Sequence, residues 1–231
     1  MSELDPEDMA VLPARLAEAA AAVLAVDGVG LSLFGDEFRL PLGASGPDAA
    51  TAERLQFTVE QGPCWDAVGH DLQLAVDAAQ IAAAWPQFSD ELRRQTPFRS
   101  VVSVPLRLAR RTGGAVDLYF VDPTAASAFD VGDVTAVAAH MAETLNRAAD
   151  DVVTDVTGVL GGPRWLRTDA ARARTGVWIA AGMLVGDGVA SAGDGVALLR
   201  AAAYSEGSSV DDVAAEVLDG TRSAAQVRDV R

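Results

Sequence analysis

A long apolar seam with no proline in it constrains this chain more than any other stretch of the sequence. Apolar residues recur there at steps of three and four: Val131, Val134, Ala138, Met141, Leu145, Ala148, Val152, Val156 and Val159. This spacing places them on one face of a helix that packs against a partner. Glycines and a proline then predict where the helix ends: Gly158, Gly161, Gly162 and Pro163. We expect the first half, to about Leu145, to pack on its own domain, and the second half to form a dimer stalk and a joint.

Length and charge support a division at that joint. The chain has 231 residues, enough for one large or two small domains. We therefore expect a first domain over 1–150, a joint over 151–163 and a second domain over 164–231. The net charge is −15, and residues 1–150 carry 22 acidic residues against ten arginines. An acidic first domain is a poor binder of nucleic acids, so such a role would fall to the second.

The sequence shows no recognisable targeting signal, and this favours a cytoplasmic protein. Met1 is followed by acidic residues rather than by the basic residues of a signal peptide. No apolar run reaches the ~20 residues needed to span a bilayer. The single cysteine, Cys64, excludes an intramolecular disulfide. We expect a soluble, cytoplasmic protein that has no membrane partner.

Periodicity in the first domain predicts an α+β fold. Alternating apolar residues predict strands over 29–34, 38–42, 72–76, 100–106 and 115–120. Helical spacing and N-terminal prolines predict helices over 6–26, 48–60, 63–68 and 85–94. The order predicts an antiparallel sheet with helices at its faces, closed by the long helix.

Four segments of this domain carry a resemblance to a known family. They are Gly28–Leu33, Gln61–Ala67, Val104–Leu106 and Val116–Tyr119. In this order they resemble a GAF domain, and the Gly-Pro-Cys-x-Asp-Ala segment is the most specific of them. The resemblance implies signal reception and dimerisation without naming a ligand. We expect a small apolar or mixed ligand between the sheet and the helices that contain Cys64 and Trp85.

The same cysteine is a weak candidate for chemistry. A catalytic cysteine needs a histidine within hydrogen-bond reach, and the chain has only His70 and His140. One cysteine and two separated histidines also make a poor metal-ligand set. We therefore expect no enzyme activity, no metal and no cofactor. Redox sensing by Cys64 stays open, because a helix N-terminus can lower a thiol pKa; a buried apolar role is the alternative.

The last third predicts a bundle of three short helices. The first runs over 164–185, with four arginines and one aspartate in its first half. Ser191 and Asp194 match a capping box for the second helix, which stops at Gly207. A third helix begins near Ser208 and ends at Gly220.

This bundle resembles the ANTAR domain, an RNA-binding output module of transcription antitermination regulators. The carrying residues are Ala180, Gly182, Met183, Ser191, Asp194, Leu199, Arg200, Tyr204, Val213 and Ala214. The candidate RNA-binding residues are Arg172, Arg174, Trp178, Ala180, Ala181, Gly182, Arg200 and Tyr204. Arginine forks suit guanine edges or phosphates, and aromatic rings stack on splayed loop bases. Gly195 stands where the family usually has alanine, which should loosen the helix start by roughly 0.5–1 kcal/mol.

Together the two resemblances imply a homodimeric antitermination regulator. Its bundle would recognise a hairpin loop in nascent mRNA, and its first domain would sense a signal. The alternative is a regulator of the signal-binding or protein-interaction class, whose bundle docks a protein partner. DNA binding is disfavoured, because the sequence offers no basic recognition helix.

Overall fold

The structure is a computed structural model that describes residues 11–34, 39–108, 113–150 and 169–229. Its contacts divide the chain into two compact units, Met1–Thr168 and Asp169–Arg231. The joint predicted at 151–163, with the second half of the apolar seam, lies outside the described residues. No helix within the described ranges has both the length and the apolar character to cross a bilayer.

A five-stranded antiparallel sheet organises the first unit. Its strands are β1 (Gly28–Phe34), β2 (Arg39–Ala44), β3 (Leu74–Val76), β4 (Ser100–Arg107) and β5 (Gly113–Phe120). They lie in the order β2-β1-β5-β4-β3, and each neighbouring pair is antiparallel. The prediction of an antiparallel sheet flanked by helices is confirmed. In its centre, Asp117 of β5 lies opposite Gly30 of β1 and Ser103 of β4.

Two helices cover one face of this sheet. They are α1 (Leu12–Leu24) and the long helix α7 (Val131–Asp150). Every second residue of β1 and β5, such as Val29, Leu31 and Val116, packs into the same buried cluster as both helices. The seam of α7 is buried there from Val134 to Ala148. The prediction that the first half of the seam packs on its own domain is confirmed.

Four helices border the other face. They are α2 (Pro47–Val59), α3 (Pro63–Gly69), α4 (Ala78–Ala84) and α5 (Pro86–Gln95). Sequence periodicity did not predict α4, although Asp77 and Gln80 form a complete capping box at its start. It also missed the four-residue helix α6 (Ala125–Ala128). Both helices are short and rich in alanine, so neither has an amphipathic stripe long enough to stand out.

The second unit contains four helices among its described residues, not the three that the sequence predicts. They are α8 (Asp169–Gly186), α9 (Ala192–Glu206), α10 (Val210–Leu218) and α11 (Ala224–Arg228). The additional helix, α11, starts at a capping box of Ser223 and Gln226, and its Val227 is fully buried. Five residues carry too little periodicity to predict a helix, so only the capping pair could have revealed it.

Serine caps hold the starts of α9, α10 and α11. At α10 the box is complete, because Ser209 N donates to the Asp212 carboxylate at 3.3 Å and Asp212 N donates to Ser209 Oγ at 3.1 Å. At α9 the predicted box is only partly formed. Asp194 N donates to Ser191 Oγ at 3.1 Å, while the Ser191 hydroxyl donates to the Asp194 carboxylate at 2.6 Å. In a complete box the backbone N–H of Ser191 would donate to the Asp194 carboxylate, but here the Ser191 hydroxyl makes that bond instead.

Gly195 has a packing role that contradicts the loosening expected from the sequence. A Cβ atom at this position would lie 2.8 Å from the carbonyl oxygen of Ala181 and 3.0 Å from its Cα. Glycine therefore lets α9 approach the backbone of α8 closely. The low helix propensity of glycine is offset by this contact.

Two glycine substitutions test this interpretation. We expect Gly195→Ala to lower the free energy of unfolding of the second unit by about 1–2 kcal/mol, since overpacking outweighs the helix-propensity gain. We expect Gly182→Ala, on the exposed side of α8 with nothing within 4 Å of its added Cβ, to stabilise the unit. That gain should be about 0.5–1 kcal/mol. Amide hydrogen exchange in α8 and α9 measures both effects locally; equal protection in both variants would contradict the packing role.

Candidate functional site

A layer of buried polar side chains lies between the sheet and α2. Gly30 and Asp117, which pair across β1 and β5, point toward α2, because side chains alternate along each strand. Seven residues of the layer are at most 1 % exposed: Ser32, Arg39, Glu53, Gln56, Ser103, Asp117 and Tyr119. Buried charges are rare without partners, so the contacts of this group decide what it can do.

Arg39 occupies the centre of the layer. Its Nη1 donates to the backbone carbonyl of Glu53 at 2.7 Å, and its Nη2 donates to the Glu53 carboxylate at 2.5 Å. The Asp117 carboxylate lies 3.8 Å from the same Nη2. The guanidinium carbon also lies 5.7 Å from the centroid of the Phe34 ring. One guanidinium thus faces two carboxylates and one aromatic ring.

A proton on Asp117 would balance these charges. Burial, and next the charge of Glu53, raise the pKa of Asp117 well above its ordinary value. The Ser103 hydroxyl donates to one Asp117 oxygen, and Gln56 Nε2 donates to the other at 2.8 Å. With Asp117 protonated, the Arg39–Glu53 pair carries the two remaining balanced charges.

Tyr119 closes the layer on its apolar side. Its hydroxyl donates to Glu53 Oε1 at 2.7 Å and accepts from Gln56 Nε2 at 3.0 Å. Its ring stacks on Phe98 with centroids 5.1 Å apart. Burial raises the pKa of Tyr119 well above its ordinary value, so this hydroxyl keeps its proton.

Two glycines from the motifs that resemble a GAF domain make room for the layer. A Cβ at Gly30 would lie 2.1 Å from Glu53 Oε1. Gly62 has φ +141°, and a Cβ there would lie 2.4 Å from Gln56 Oε1. That amide oxygen accepts the backbone N–H of Cys64 at 3.1 Å. The glycines let α2 and the start of α3 dock against the sheet through Glu53 and Gln56.

The structure places Cys64 and Trp85 in different apolar clusters. Cys64 is fully buried with Phe34 and Ala115, whereas Trp85 packs with Ile81 and other residues of α4 and α5. The ligand predicted to lie beside both stays a prediction. Burial raises the pKa of the Cys64 thiol well above its ordinary value, so the lowered thiol pKa considered from the sequence is wrong.

Both histidines are exposed, whereas Cys64 is fully buried. His70 is exposed, and its ring nitrogen Nδ1 lies 2.9 Å from the carbonyl oxygen of Asp66. Among the residues the structure describes, no group of three or more histidine, cysteine, aspartate or glutamate side chains is arranged to hold a metal ion.

In the second unit, α9 presents two of the predicted RNA-binding residues. Arg200 and Tyr204 are four positions apart, so they lie on one side of the helix. Arg200 is half-buried and Tyr204 is 46 % exposed, so the tyrosine is not a core residue. Leu199 and Ala203, on the other side, are fully buried and fix the helix against the bundle.

The residues predicted on α8 divide between core and surface. Ala180 and Ala181 are fully buried, Trp178 is half-buried and Gly182 is exposed. Ala180 and Ala181 therefore pack inside the unit and support the surface rather than form it. Arg172 and Arg174 belong to α8, but their side chains lie outside the described residues.

Sequence reasoning missed an apolar surface on the same helix. Ile179 is 54 % exposed and Met183 is 46 % exposed, on either side of the exposed Gly182. The signal was their spacing of four residues, offset from the core positions Val177, Ala180 and Leu184.

Comparisons with known proteins find solved structures that are similar to part of this chain. No protein-family model matches the sequence, and no curated protein matches it. The GAF domain of an Acinetobacter phosphoenolpyruvate-protein phosphotransferase aligns over 67 % of this chain and 90 % of its own, with 14 % identity and a TM-score of 0.43. The photoproduct state of a Synechocystis GAF3 domain aligns over 62 % and 95 %, with 15 % identity and a TM-score of 0.43.

The buried carboxyl gives a pH prediction. An acid whose folded pKa is raised stabilises the protein fully below its unfolded pKa, and this stabilisation is lost as pH rises toward the folded value. Asp117→Asn keeps the shape and the acceptor for Ser103 but removes the titration. We expect the free energy of unfolding of the wild type to fall relative to Asp117→Asn as the pH rises above the unfolded pKa of aspartate and toward the raised pKa of folded Asp117.

Asp122→Asn is the matched control for this pH series. The backbone N–H of Thr124 chiefly lowers the pKa of the exposed Asp122. The stabilisation from Asp122 is therefore fully present above its unfolded pKa, and it is lost as the pH falls below that value and through the lower folded pKa. Urea denaturation of the three proteins at several pH values measures the difference. Parallel curves for wild type and Asp117→Asn over that window would contradict the raised pKa.

Proposed function

We propose that this chain is a cytoplasmic regulator of transcription antitermination, in which the second unit binds an RNA hairpin loop and the first unit receives a signal. The resemblance of Leu199, Arg200 and Tyr204 to the ANTAR pattern supports the RNA role. The resemblance of the glycine and Gln61–Ala67 segments to GAF domains, together with the observed antiparallel sheet, supports the sensory role. The chain would act by binding, without catalysis or a cofactor.

One observation carries the RNA proposal: Arg200 and the exposed Tyr204 lie on the same side of α9. RNA loops are recognised by stacking of splayed bases on aromatic rings and by hydrogen bonds to base edges. A tyrosine ring next to an arginine fork offers both, and the buried Leu199 and Ala203 hold them on a rigid helix. Gly182 on α8 would let an RNA backbone approach closely, and Ile179 and Met183 would contact a base or sugar.

The charge of the unit indicates how it would bind. Residues 169–229 carry five arginines and nine acidic residues, a formal charge of −4. Arg222 pairs with Glu206 at 2.7 Å and with Glu216 at 2.8 Å, so it is engaged within the unit. A negative unit gains little from general phosphate attraction. We therefore expect recognition of loop shape and bases, with shallow salt dependence.

The alternative function is docking of a protein partner by the same unit. The exposed Ile179 and Met183 favour it, because apolar side chains on a helix surface suit a protein contact as well as an RNA contact. The two functions separate experimentally, since a protein-docking surface has no preference among nucleic acids.

Three substitutions test the RNA proposal. We expect Arg200→Ala to weaken binding to a target hairpin by roughly 1–3 kcal/mol and to relax the preference at one base. Tyr204→Ala should lose about 1–3 kcal/mol through lost stacking. Arg228→Ala removes the same charge from the exposed end of α11 and serves as the matched control. Fluorescence anisotropy with hairpin RNA, scrambled RNA and duplex DNA measures all of these.

The RNA proposal fails if the wild type binds the three nucleic acids alike or not at all. The role of α9 fails if Arg200→Ala and Arg228→Ala bind the hairpin equally well. Arg172→Ala should weaken all RNAs alike and reduce the salt slope by about one counterion, as a phosphate contact would.

We also propose a homodimer through the apolar seam beyond α7. Val134, Met141 and Leu145 are buried within the first unit, so we assign the dimer contact to the later seam positions that the sequence predicts, such as Val152. Val152→Asp should weaken the dimer, because an unpaired carboxylate at an apolar contact is unfavourable. Sedimentation equilibrium measures this, with Ala139→Asp on the exposed side of α7 as the control. An equal monomer–dimer equilibrium in both variants would rule out the stalk.

A further inference from the structure

The polar layer of the first unit has the composition of a receptor for one chemical group. Arg39 lies beside a backbone carbonyl at 2.7 Å, the Glu53 carboxylate at 2.5 Å, the Asp117 carboxyl group at 3.8 Å and the Phe34 ring centroid at 5.7 Å. Carbonyl, carboxylate and aromatic face are the three partners that a planar guanidinium prefers. Stability alone would not require this set, since apolar residues of equal volume often stabilise a core as well or better.

The receptor groups do not depend on the strand that supplies Arg39. Glu53 and Gln56 come from α2, Ser103 from β4, and Asp117 and Tyr119 from the central strand β5. Arg39 is the first residue of β2, which is an edge strand and pairs with β1 alone. The carboxylates are thus positioned by the interior of the fold, and the guanidinium enters from its edge.

One hydroxyl of the sheet and one N–H of Arg39 itself remain without a hydrogen bond in the described part of the layer. Ser32 Oγ and Arg39 Nε are buried and have no hydrogen-bond partner among the described residues. Ser32 lies two residues from Gly30 on the same side of β1, so its hydroxyl points into the layer that holds Glu53. A native core rarely leaves such groups unsatisfied, and they often mark a site with a role beyond packing.

We propose that this layer is a binding site for a guanidinium group, occupied within the chain by Arg39. Removal of the Arg39 side chain leaves the site able to bind a small free guanidinium cation. In the native chain Arg39 keeps the site closed. A signalling ligand of this layer must displace Arg39, and must therefore carry a planar cationic group of the same kind. This last step rests on the sensory role proposed above, whereas the binding site itself does not.

Chemical rescue of Arg39→Ala tests the proposal in the full chain. We expect the variant to melt at a lower temperature than the wild type, because Glu53 loses its buried partner. Methylguanidinium at up to about 10 mM should raise its melting temperature in a saturable manner. Methylammonium has the charge but not the planar arrangement of donors, and urea has the planar shape but not the charge. Neither should raise the melting temperature of Arg39→Ala. The wild type and Arg54→Ala, which lacks an exposed arginine of α2, should not respond.

Two double variants keep the test decisive if Arg39→Ala does not fold. Asp117→Asn combined with Arg39→Ala keeps Glu53, the principal acceptor, and should still be rescued by methylguanidinium. Glu53→Gln combined with Arg39→Ala removes the principal acceptor and should lose at least tenfold in apparent affinity. The site is refuted if methylguanidinium stabilises the Arg39 variants no more than methylammonium or urea. It is also refuted if the wild type responds equally. RNA binding by the wild type, measured in parallel, reports separately on the proposed function.

Discussion

The buried pairing of Arg39 with Glu53 is the interaction on which the first unit depends. It connects an edge strand to α2, and through Gln56 it reaches both the central strand and the start of α3. A carboxylate left there without its guanidinium would carry the full cost of desolvation, which is several kcal/mol. The glycines at 30 and 62 follow from this pairing, because any side chain there would occupy the space of Glu53 or Gln56. The motifs that resemble a GAF domain thus include residues that accommodate an internal ion pair.

The sheet could be predicted from the sequence and the polar layer could not. Strands such as 100–106 contain a short run of β-branched and apolar residues, so a strand can be recognised there from one stretch of chain. The contacts of the layer join residues far apart in the chain, such as Gln56 with Asp117 and Tyr119 with Glu53. Considered alone, each of these polar residues would be expected at the protein surface. Only the strand register brings them together, and register is a property of the whole fold.

A similar limit applies to the second unit. Capping residues and apolar periodicity predicted its three longer helices, but not the close approach of α9 to α8 at Gly195. Helix propensity describes a helix alone and assigns glycine an unfavourable contribution. The contact with the Ala181 backbone reverses that interpretation, because an alanine would overlap a neighbouring helix. Ala181 is fully buried beside Gly195, so it can affect a binding surface only through the packing of the helices.

The two units differ in where their ion pairs lie, and this difference matters for the signal and RNA recognition proposed above. The first unit buries a guanidinium among carboxylates, where low polarity strengthens each interaction and makes the geometry selective. In the second unit the ion pairs of Arg222 with Glu206 and Glu216 are partly exposed, and they join the ends of α9 and α10 to the start of α11. Surface pairs of this kind contribute modestly to stability and are screened by salt. If the second unit binds RNA as proposed, its specificity would come from shape and from side chains that are exposed on rigid helices. Tyr204 on α9 and Ile179 and Met183 on α8 meet that condition.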